Sequence, residues 1–486
     1  MGAFKKLFQH TFIYGVATIL PRILSFFLTP LYISQLKSEA DYGSYTLMFS
    51  FMILGNVVLS YGMETAFFRF INKSERKAAV QSTALTSLLI SSVLFFAVTF
   101  FFREQIANWA ELKLSYVSFA IGILTLDALA VIPFTWYRNQ SMPIKYSFVK
   151  LMNIIINFGL NIFFFLALPK LITGEHPAYL QNLIFKDSVN YIFLANIIAS
   201  VATLIMVMPL YFRIGLRIDG VILKKMLAYG LPILVAGIAY SINETFDKII
   251  LNYLLPENSA KSVVGIYGAC YKLGVFMTLF ITAFKLGVEP FFFNHAHKKN
   301  AKETYANITL YFTIFGTFIL LFVITYIDVL KHILIPKQEY WEAITIVPYI
   351  LLANLCLGIY HNLSVWYKVT DKTNYGAIIS VLGAVVTLSL NFTLIPLIGY
   401  KASAIATLAA YSFMMFISFF IGQRKYPIPY NLKKIGAYLG TSITFSIISF
   451  YVFDRNIIVG TVLLLVFLAL IYTLEKKDLQ KIFIKK

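Results

Sequence analysis

Residues 41–54 read DYGSYTLMFSFMIL, and residues 266–279, at an offset of 225, read IYGACYKLGVFMTL. The two stretches share a Tyr-Gly pair, a Phe-Met pair and a leucine at equal spacing. At the same offset GMETAFFRF (62–70) matches GVEPFFFNH (287–295), and at an offset of 230 the triplet Trp136-Tyr137-Arg138 matches Trp366-Tyr367-Lys368. Separate segments that hold nearly one register indicate an internal duplication, which sets the fold.

The composition indicates that lipid covers the outside of this protein. Of 486 residues, 59% are hydrophobic and 13% are charged, and the mean hydropathy is +0.77. A soluble domain is about half apolar and about a quarter charged. This chain therefore has too few charges to coat a surface that faces water, which excludes an ordinary soluble domain.

Long apolar runs predict an all-helical polytopic membrane protein, because about 20 apolar residues span a bilayer as a helix. No alternating pattern of a membrane barrel is present in the sequence. The runs predict fourteen helices, at 11–35, 44–70, 80–102, 115–137, 147–169, 187–212, 229–253, 265–293, 303–327, 342–367, 376–396, 402–422, 434–453 and 456–474.

The duplicated unit contains six helices, so helices 1–6 correspond to helices 7–12. Six is an even number, and both copies therefore cross the membrane in the same direction, as parallel repeats do. We expect a six-helix lobe at 1–212, a cytoplasmic linker at 213–228 and a second six-helix lobe at 229–422. A Pro-containing linker, an extra helix pair and a basic tail occupy 423–486.

The net charge of +19 lies in short clusters between apolar runs. Placing both termini in the cytoplasm puts most Lys and Arg residues on that side, as the positive-inside rule requires. This dispersed pattern argues against a nucleic-acid-binding domain. Both cysteines, Cys270 and Cys356, fall in apolar runs, so we expect neither a disulfide nor a metal site there.

Charged residues inside the predicted helices are the candidate functional residues, because each costs about 2.5–3.5 kcal/mol in lipid and needs a partner or a watery cavity. The basic candidates for binding an anionic substrate are Arg22, Lys150, Lys248, Lys272 and Lys285. The acidic candidates for binding a coupling ion are Asp127, Glu244 and Asp247. Glu64 and Glu289 hold the same position in the two repeats, which predicts a gate or a contact between lobes.

Structural roles compete with these assignments. Arg22 could form an ion pair with Glu64 or Asp127. The i,i+4 spacing predicts one ion pair between Glu244 and Lys248 and another between Lys285 and Glu289. The first pair would leave Asp247 without a partner on its helix. Lys150 could reach the membrane surface along its own stem. His295 and His297 flank a single residue in a lysine-rich loop, where a solvated role is favoured over metal binding.

The fourteen helices, the parallel six-helix repeats, the motifs DYGSY and IYGACYKLG, and DKIILNYLL at 247–255 resemble one family. It is the polysaccharide-flippase branch of the multidrug/oligosaccharidyl-lipid/polysaccharide exporter superfamily. The resemblance implies two lobes that alternate between inward-open and outward-open states around a cationic cavity. It also implies that the extra helix pair at 434–474 holds a lipid tail. Only Arg22 is a deep cation in the first helices, which departs from the lipid II flippases of this superfamily.

The resemblance implies a function as a flippase for an undecaprenyl-diphosphate-linked oligosaccharide in the bacterial inner membrane. A cation-coupled multidrug exporter is the alternative, and a membrane glycosyltransferase or polymerase, which would need a large loop, is less favoured. We expect no enzymatic activity and no cofactor, with Na⁺ or H⁺ as the coupling ion if a gradient is used. Expected partners are the lipid-linked glycan, the bilayer, a polysaccharide polymerase and a chain-length regulator, with the protein itself monomeric.

Overall fold

The computed structural model describes residues 2–172, 185–295 and 298–484, with side chains for 15–171, 185–288, 291–292 and 298–476. Throughout these ranges the regular structure is helical, and no strand occurs in them. The α-helices are α1 (Gly2–Gln35), α2 (Glu39–Ser60), α3 (Met63–Lys73), α4 (Lys77–Phe101), α5 (Arg103–Trp109), α6 (Leu114–Asn139), α7 (Pro143–Ile162), α8 (Leu168–Ile172), α9 (Val189–Ile214), α10 (Gly220–Leu254), α11 (Glu257–Tyr271), α12 (Val275–His295), α13 (Ala301–Thr325), α14 (Ile327–Leu334), α15 (Val347–Leu363), α16 (Val365–Val369), α17 (Asn374–Ile398), α18 (Lys401–Lys425), α19 (Leu432–Ile447) and α20 (Ile457–Ile484).

Fourteen helical segments of the described chain are long and apolar enough to cross a membrane. Each coincides with one of the fourteen predicted runs, so the all-helical membrane class is confirmed. Several of these segments combine two helices or include a tighter or wider turn. The second segment, for example, joins α2 and α3 across a break at Tyr61 and Gly62, and the eighth joins α11 and α12 through the 3₁₀ turn Lys272–Gly274.

Capping residues define where the helices that position the site begin. Ser38 precedes α2, and its hydroxyl accepts a hydrogen bond from the Asp41 backbone N–H at 3.3 Å. Asp219 precedes α10 and accepts from the backbone N–H groups of Val221 and Ile222 at 3.0 and 3.1 Å. These side chains satisfy N–H groups that the first turn of a helix leaves without a partner.

The chain forms two compact units, Met1–Gly265 and Ile266–Lys486. In the first unit, α10 packs along α2 and α3. The break at Gly62 explains how these helices approach so closely, since a Cβ on Gly62 would lie 2.4 Å from the Gly230 carbonyl oxygen. Gly62 also has a φ of 71°, a left-handed conformation that glycine adopts without steric cost.

In the second unit, α19 and α20 pack on α13 through an apolar cluster that includes Leu310, Tyr438 and Phe467. Polar contacts reinforce the cluster. Ser442 on α19 donates to the Thr317 carbonyl at 2.9 Å, and Tyr438 and Lys434 both bond to Glu475 on α20. The extra helix pair is therefore fixed to the body of this unit.

Two pairs of equivalent positions in the repeats have equivalent environments, which supports the duplication. Tyr42 and Tyr267 are both fully buried. Asn161 and Asn391, which correspond at an offset of 230, are also both buried, and each side chain donates to the carbonyl four residues earlier, at 2.8 and 2.7 Å. The predicted lobe boundaries at 212/213 and 228/229 stay predictions. In the structure, α10 belongs to the first compact unit.

Candidate functional site

A cavity of about 460 Å³ in the first unit combines polar and charged side chains from α2, α3, α6, α7 and α9. Its charged residues are Glu64, Asp127, Arg138 and Lys150. The remaining lining residues are Asn56, Val57, Ser60, Ala130, Val131, Phe134, Thr135, Tyr146, Asn153 and Thr203. Three of the predicted site residues, Glu64, Asp127 and Lys150, therefore meet in one place.

Glu64 and Arg138, both in the cavity lining, form an ion pair, and both side chains are half-exposed. The Arg138 guanidinium also lies 5.0 Å from the centre of the Phe68 ring. The repeat predicts a gate or a contact between lobes for Glu64, whereas Arg138 belongs only to the repeat motif Trp136-Tyr137-Arg138. This ion pair connects the first turn of α3 to the last turn of α6.

Asp127 and Lys150 lie deeper and face each other from α6 and α7. The Ser200 hydroxyl on α9 donates to Asp127 Oδ1 at 2.8 Å. Lys150 Nζ lies 4.4 Å from the centre of the Phe134 ring, and it is close enough to Asp127, Glu64 and Arg138 to interact with each electrostatically. A buried lysine near two carboxylates and an aromatic face is compensated, which makes its presence in the membrane tolerable.

Amide and hydroxyl groups complete the lining. The Asn153 amide donates to Thr203 Oγ1 at 2.9 Å, and the Asn56 and Tyr146 side chains also border the cavity. Tyr146, Asn153 and Thr203 are not among the site residues predicted from the sequence. A signal existed, because Tyr146, Lys150 and Asn153 are spaced by four and three residues and so share one face of α7.

Arg22 lies near Glu244 rather than near Glu64 or Asp127. Glu244 on α10 interacts electrostatically with Arg22 on α1 and forms a hydrogen bond with Tyr240. The expectation that Arg22 pairs with Glu64 or Asp127 is therefore not met, since Glu64 pairs with Arg138 and Asp127 binds Ser200.

The predicted pairing on α10 is also different in the structure. Lys248 Nζ lies 2.9 Å from Asp247 Oδ1, and both side chains are buried. Asp247 therefore has a cationic partner, and Glu244 interacts with Arg22, Tyr240 and Lys248. The i,i+4 spacing predicts part of this arrangement, since Glu244 also interacts electrostatically with Lys248, but it does not predict the direct salt bridge to Asp247.

The second unit contains the remaining predicted cations. Lys285 borders a small cavity with His361 and Asn362, and it interacts electrostatically with His361. Lys272 is half-buried in the 3₁₀ turn between α11 and α12. The hydroxyls of Thr278 and Thr282 bond to carbonyls of their own helix. The side chain of Glu289 lies outside the described residues, as do those of His295 and His297.

Among the residues that the structure describes, no group of three or more His, Cys, Asp or Glu side chains is arranged to hold a metal ion. The cavity of the first unit can do three things chemically. Its cations can attract an anionic head group, its amides and hydroxyls can bind the hydroxyls of a sugar, and its carboxylates can accept a proton or a small cation.

One solved flippase structure and two solved transporter structures share this fold. The lipid II flippase MurJ in an inward closed conformation matches with a TM-score of 0.68 at 14% identity, over 95% of this chain and 99% of that one. An inward-facing multidrug resistance MATE family transporter of the MOP superfamily matches with a TM-score of 0.62 at 12% identity, over 86% and 96%. A mutant of the Vibrio cholerae MATE transporter VcmN matches with a TM-score of 0.56 at 15% identity, over 86% and 96%.

At these identities the structural likeness shows the fold alone. Among curated proteins, none matches this chain. The sequence itself identifies the family, because residues 7–292 match the family model described as polysaccharide biosynthesis protein. That match covers more than half of the chain, and the protein therefore belongs to the polysaccharide biosynthesis protein family.

Proposed function

We propose that this protein is a flippase that moves an undecaprenyl-diphosphate-linked oligosaccharide across the bacterial inner membrane. The observation that carries the proposal is the cavity of the first unit, whose volume of about 460 Å³ falls in the range of ligand sites, roughly 300–1,000 Å³. A family that serves polysaccharide synthesis and a fold shared with flippases and exporters support it. The head group of such a lipid is polyanionic and cannot cross hydrocarbon unaided.

In this mechanism the cavity receives the head group while the isoprenoid tail stays in lipid. Lys150 and Arg138 provide positive charge, and Asn56, Tyr146 and Asn153 offer donors and acceptors for sugar hydroxyls. Arg22, Lys248, Lys272 and Lys285 remain proposed further contacts of the diphosphate.

The charge balance of the cavity suggests how transport is driven. Its two cations are matched by Glu64 and Asp127, so an incoming diphosphate competes with carboxylates for Lys150 and Arg138. We therefore assign Asp127 as the group that takes up H⁺ or Na⁺ when the substrate occupies Lys150. Glu244 and Asp247 are less suited to this role, because neither lines the cavity that would receive the substrate.

Export of surface glycan in a bacterial strain that lacks its own copy of the gene tests the proposal. We expect Lys150→Ala to reduce export at least about tenfold, because removing one charged hydrogen bond to a phosphate costs about 1.5–3 kcal/mol. Lys150→Arg should retain part of the export. Lys224→Ala, on an exposed position of α10, is the matched control.

Undiminished export with Lys150→Ala, at normal amounts of membrane-inserted protein, would contradict the assignment of the cavity. Lipid-linked glycan that accumulates on the cytoplasmic leaflet of the Lys150→Ala strain would place the defect at the flipping step.

A cation-coupled multidrug exporter is the second candidate, favoured by the carboxylates of Glu64 and Asp127 in the cavity. The two functions predict opposite phenotypes. An exporter of cationic drugs should lower the susceptibility of cells to such drugs and lose this effect in Asp127→Asn, with surface glycan unchanged. The flippase should alter surface glycan and leave drug susceptibility unchanged.

We further propose that both termini are cytoplasmic and that the protein works as a monomer beside a polysaccharide polymerase and a chain-length regulator, without a resident cofactor or enzymatic activity.

A further inference from the structure

A second recess of the first unit, which we call the basic groove, shares no lining residue with the cavity that contains Asp127 and Lys150. It has a volume of about 490 Å³ and lies among α6, α7 and α9. Its lining is mainly apolar and includes two cations and no carboxylate. The lining residues are Trp136, Tyr137, Ile144, Lys145, Phe148, Val149, Met206, Pro209, Leu210 and Arg213.

The two cations lie at helix ends on one side of the membrane. Lys145 is in the first turn of α7, and Arg213 is in the last turn of α9. The Arg213 guanidinium lies 5.3 Å from the centre of the Trp136 ring, which holds it at the rim of the basic groove. Within the described ranges, neither cation forms a salt bridge with a carboxylate, so both charges are available to a ligand.

The apolar side of the basic groove opens to lipid. Ile144 is 72% exposed and Phe148 is 58% exposed, and Phe212, beside Arg213, is 80% exposed. In a chain with fourteen membrane-spanning segments, large apolar side chains with this exposure contact acyl chains. The basic groove therefore joins an apolar wall to a cationic rim at the end of the membrane-spanning region.

The corresponding position of the second repeat is built differently. At the offset of 230, Lys145 corresponds to Tyr375 and Trp136 to Trp366. The Tyr375 ring packs 5.1 Å from the Trp366 ring, and a Cβ on Gly422 would lie 2.8 Å from the same indole. An aromatic side chain thus covers this tryptophan in the second repeat, where the first repeat presents a lysine.

We propose that the basic groove binds an anionic glycerophospholipid of the surrounding leaflet. The phosphate lies between Lys145 and Arg213, and an acyl chain follows Phe148, Met206 and Leu210. Basic pockets between membrane helices bind anionic head groups in this way, since the surface charge and the apolar wall act together. The ligand is a resident lipid, and its binding does not depend on the transported substrate.

Native mass spectrometry of the purified full chain tests this site, with phosphatidylglycerol and phosphatidylcholine as the two probes. We expect the wild type to bind phosphatidylglycerol more tightly. One basic residue near an anionic lipid contributes about fivefold in affinity. The double variant Lys145→Gln/Arg213→Gln should therefore bind phosphatidylglycerol roughly 25-fold more weakly than the wild type and no longer prefer it to phosphatidylcholine. Lys145→Tyr, which copies the second repeat, should lose about fivefold.

Lys224→Gln/Lys225→Gln removes two exposed lysines of α10 and is the matched control, which should keep the wild-type preference. Size-exclusion profiles and melting temperatures report whether each variant is folded. If the double variant does not fold, the lipid preference of the single variants is compared with that of the wild type instead. A wild type without preference, or a double variant that keeps it, would overturn the proposal. Displacement of phosphatidylglycerol by millimolar inorganic phosphate would show a simple anion site instead of a lipid site.

Discussion

Replacing Lys434 with methionine removes the cationic partner of a buried carboxylate on α20. In the wild type, Lys434 Nζ and the Tyr438 hydroxyl each lie 2.8 Å from Glu475 Oε1. The Glu475 side chain is 2% exposed, whereas that of Lys434 is 31% exposed. The carboxylate therefore cannot reach water when its partner is lost.

The structure sets the expected magnitude. Removal of one partner from a buried pair costs about 3–5 kcal/mol, because a charge stays buried without compensation. Tyr438 still donates to Glu475, and Lys434 is partly solvated already, so we expect the lower end, about 3 kcal/mol. Glu475→Gln should cost only about 1 kcal/mol, since the remaining lysine can turn to solvent.

Unfolding in mixed micelles with increasing dodecyl sulfate, followed by tryptophan fluorescence, measures these differences in the free energy of unfolding. Lys434→Met/Glu475→Gln should be more stable than Lys434→Met alone, because it removes the orphaned charge. Lys433→Met, an exposed neighbour, is the control. If Lys434→Met and Lys433→Met are equally stable, or if the two effects simply add in the double variant, the reasoning is wrong.

Three further predictions address other parts of the chain. Gly62→Ala should lower the free energy of unfolding by at least about 1–2 kcal/mol from the left-handed backbone alone, and by more because of the clash with Gly230. Gly159→Ala is the control in the same unfolding assay and should have little effect, because its Cβ would meet nothing within 4 Å. The Ile222 backbone N–H, with Arg76 and the Val221 N–H, holds the pKa of Asp219 below its ordinary value. The negative charge of Asp219 therefore stabilises the folded protein fully above about pH 4, and this stabilisation is lost as the pH falls through the lower pKa of the folded state. The difference in melting temperature between wild type and Asp219→Asn should thus be constant from pH 7 to 5 and shrink below about pH 4; a difference that grows in acid would contradict this. Lys285→Ala should reduce glycan export with normal membrane insertion, and export at the wild-type level would remove Lys285 from the substrate path.

The membrane-spanning segments were predictable because hydrophobic length is a local property. Each apolar run had to become a helix long enough to cross the bilayer, whatever its neighbours were. The duplication was equally visible, since Trp136 and Trp366 or Asn161 and Asn391 keep their register in the sequence. These features need no knowledge of which helices touch.

The partners of the charged residues depend on contacts between helices, and there the sequence was insufficient. Arg22 on α1 interacts electrostatically with Glu244 on α10, and no spacing on either helix encodes that. Arg138 was overlooked because it ends a repeat motif, yet it pairs with Glu64 from another helix. The cavity exists only where α2, α3, α6, α7 and α9 converge.

The packing of α10 has a consequence for how the gene can be divided. By sequence this helix opens the second repeat, but in three dimensions it covers α2 and α3, with Gly230 against Gly62. A fragment that stopped between the repeats would leave that glycine surface bare, whereas one extended to Gly265 would carry its own cover. The compact unit Met1–Gly265 is therefore longer than the first sequence repeat by the whole of α10.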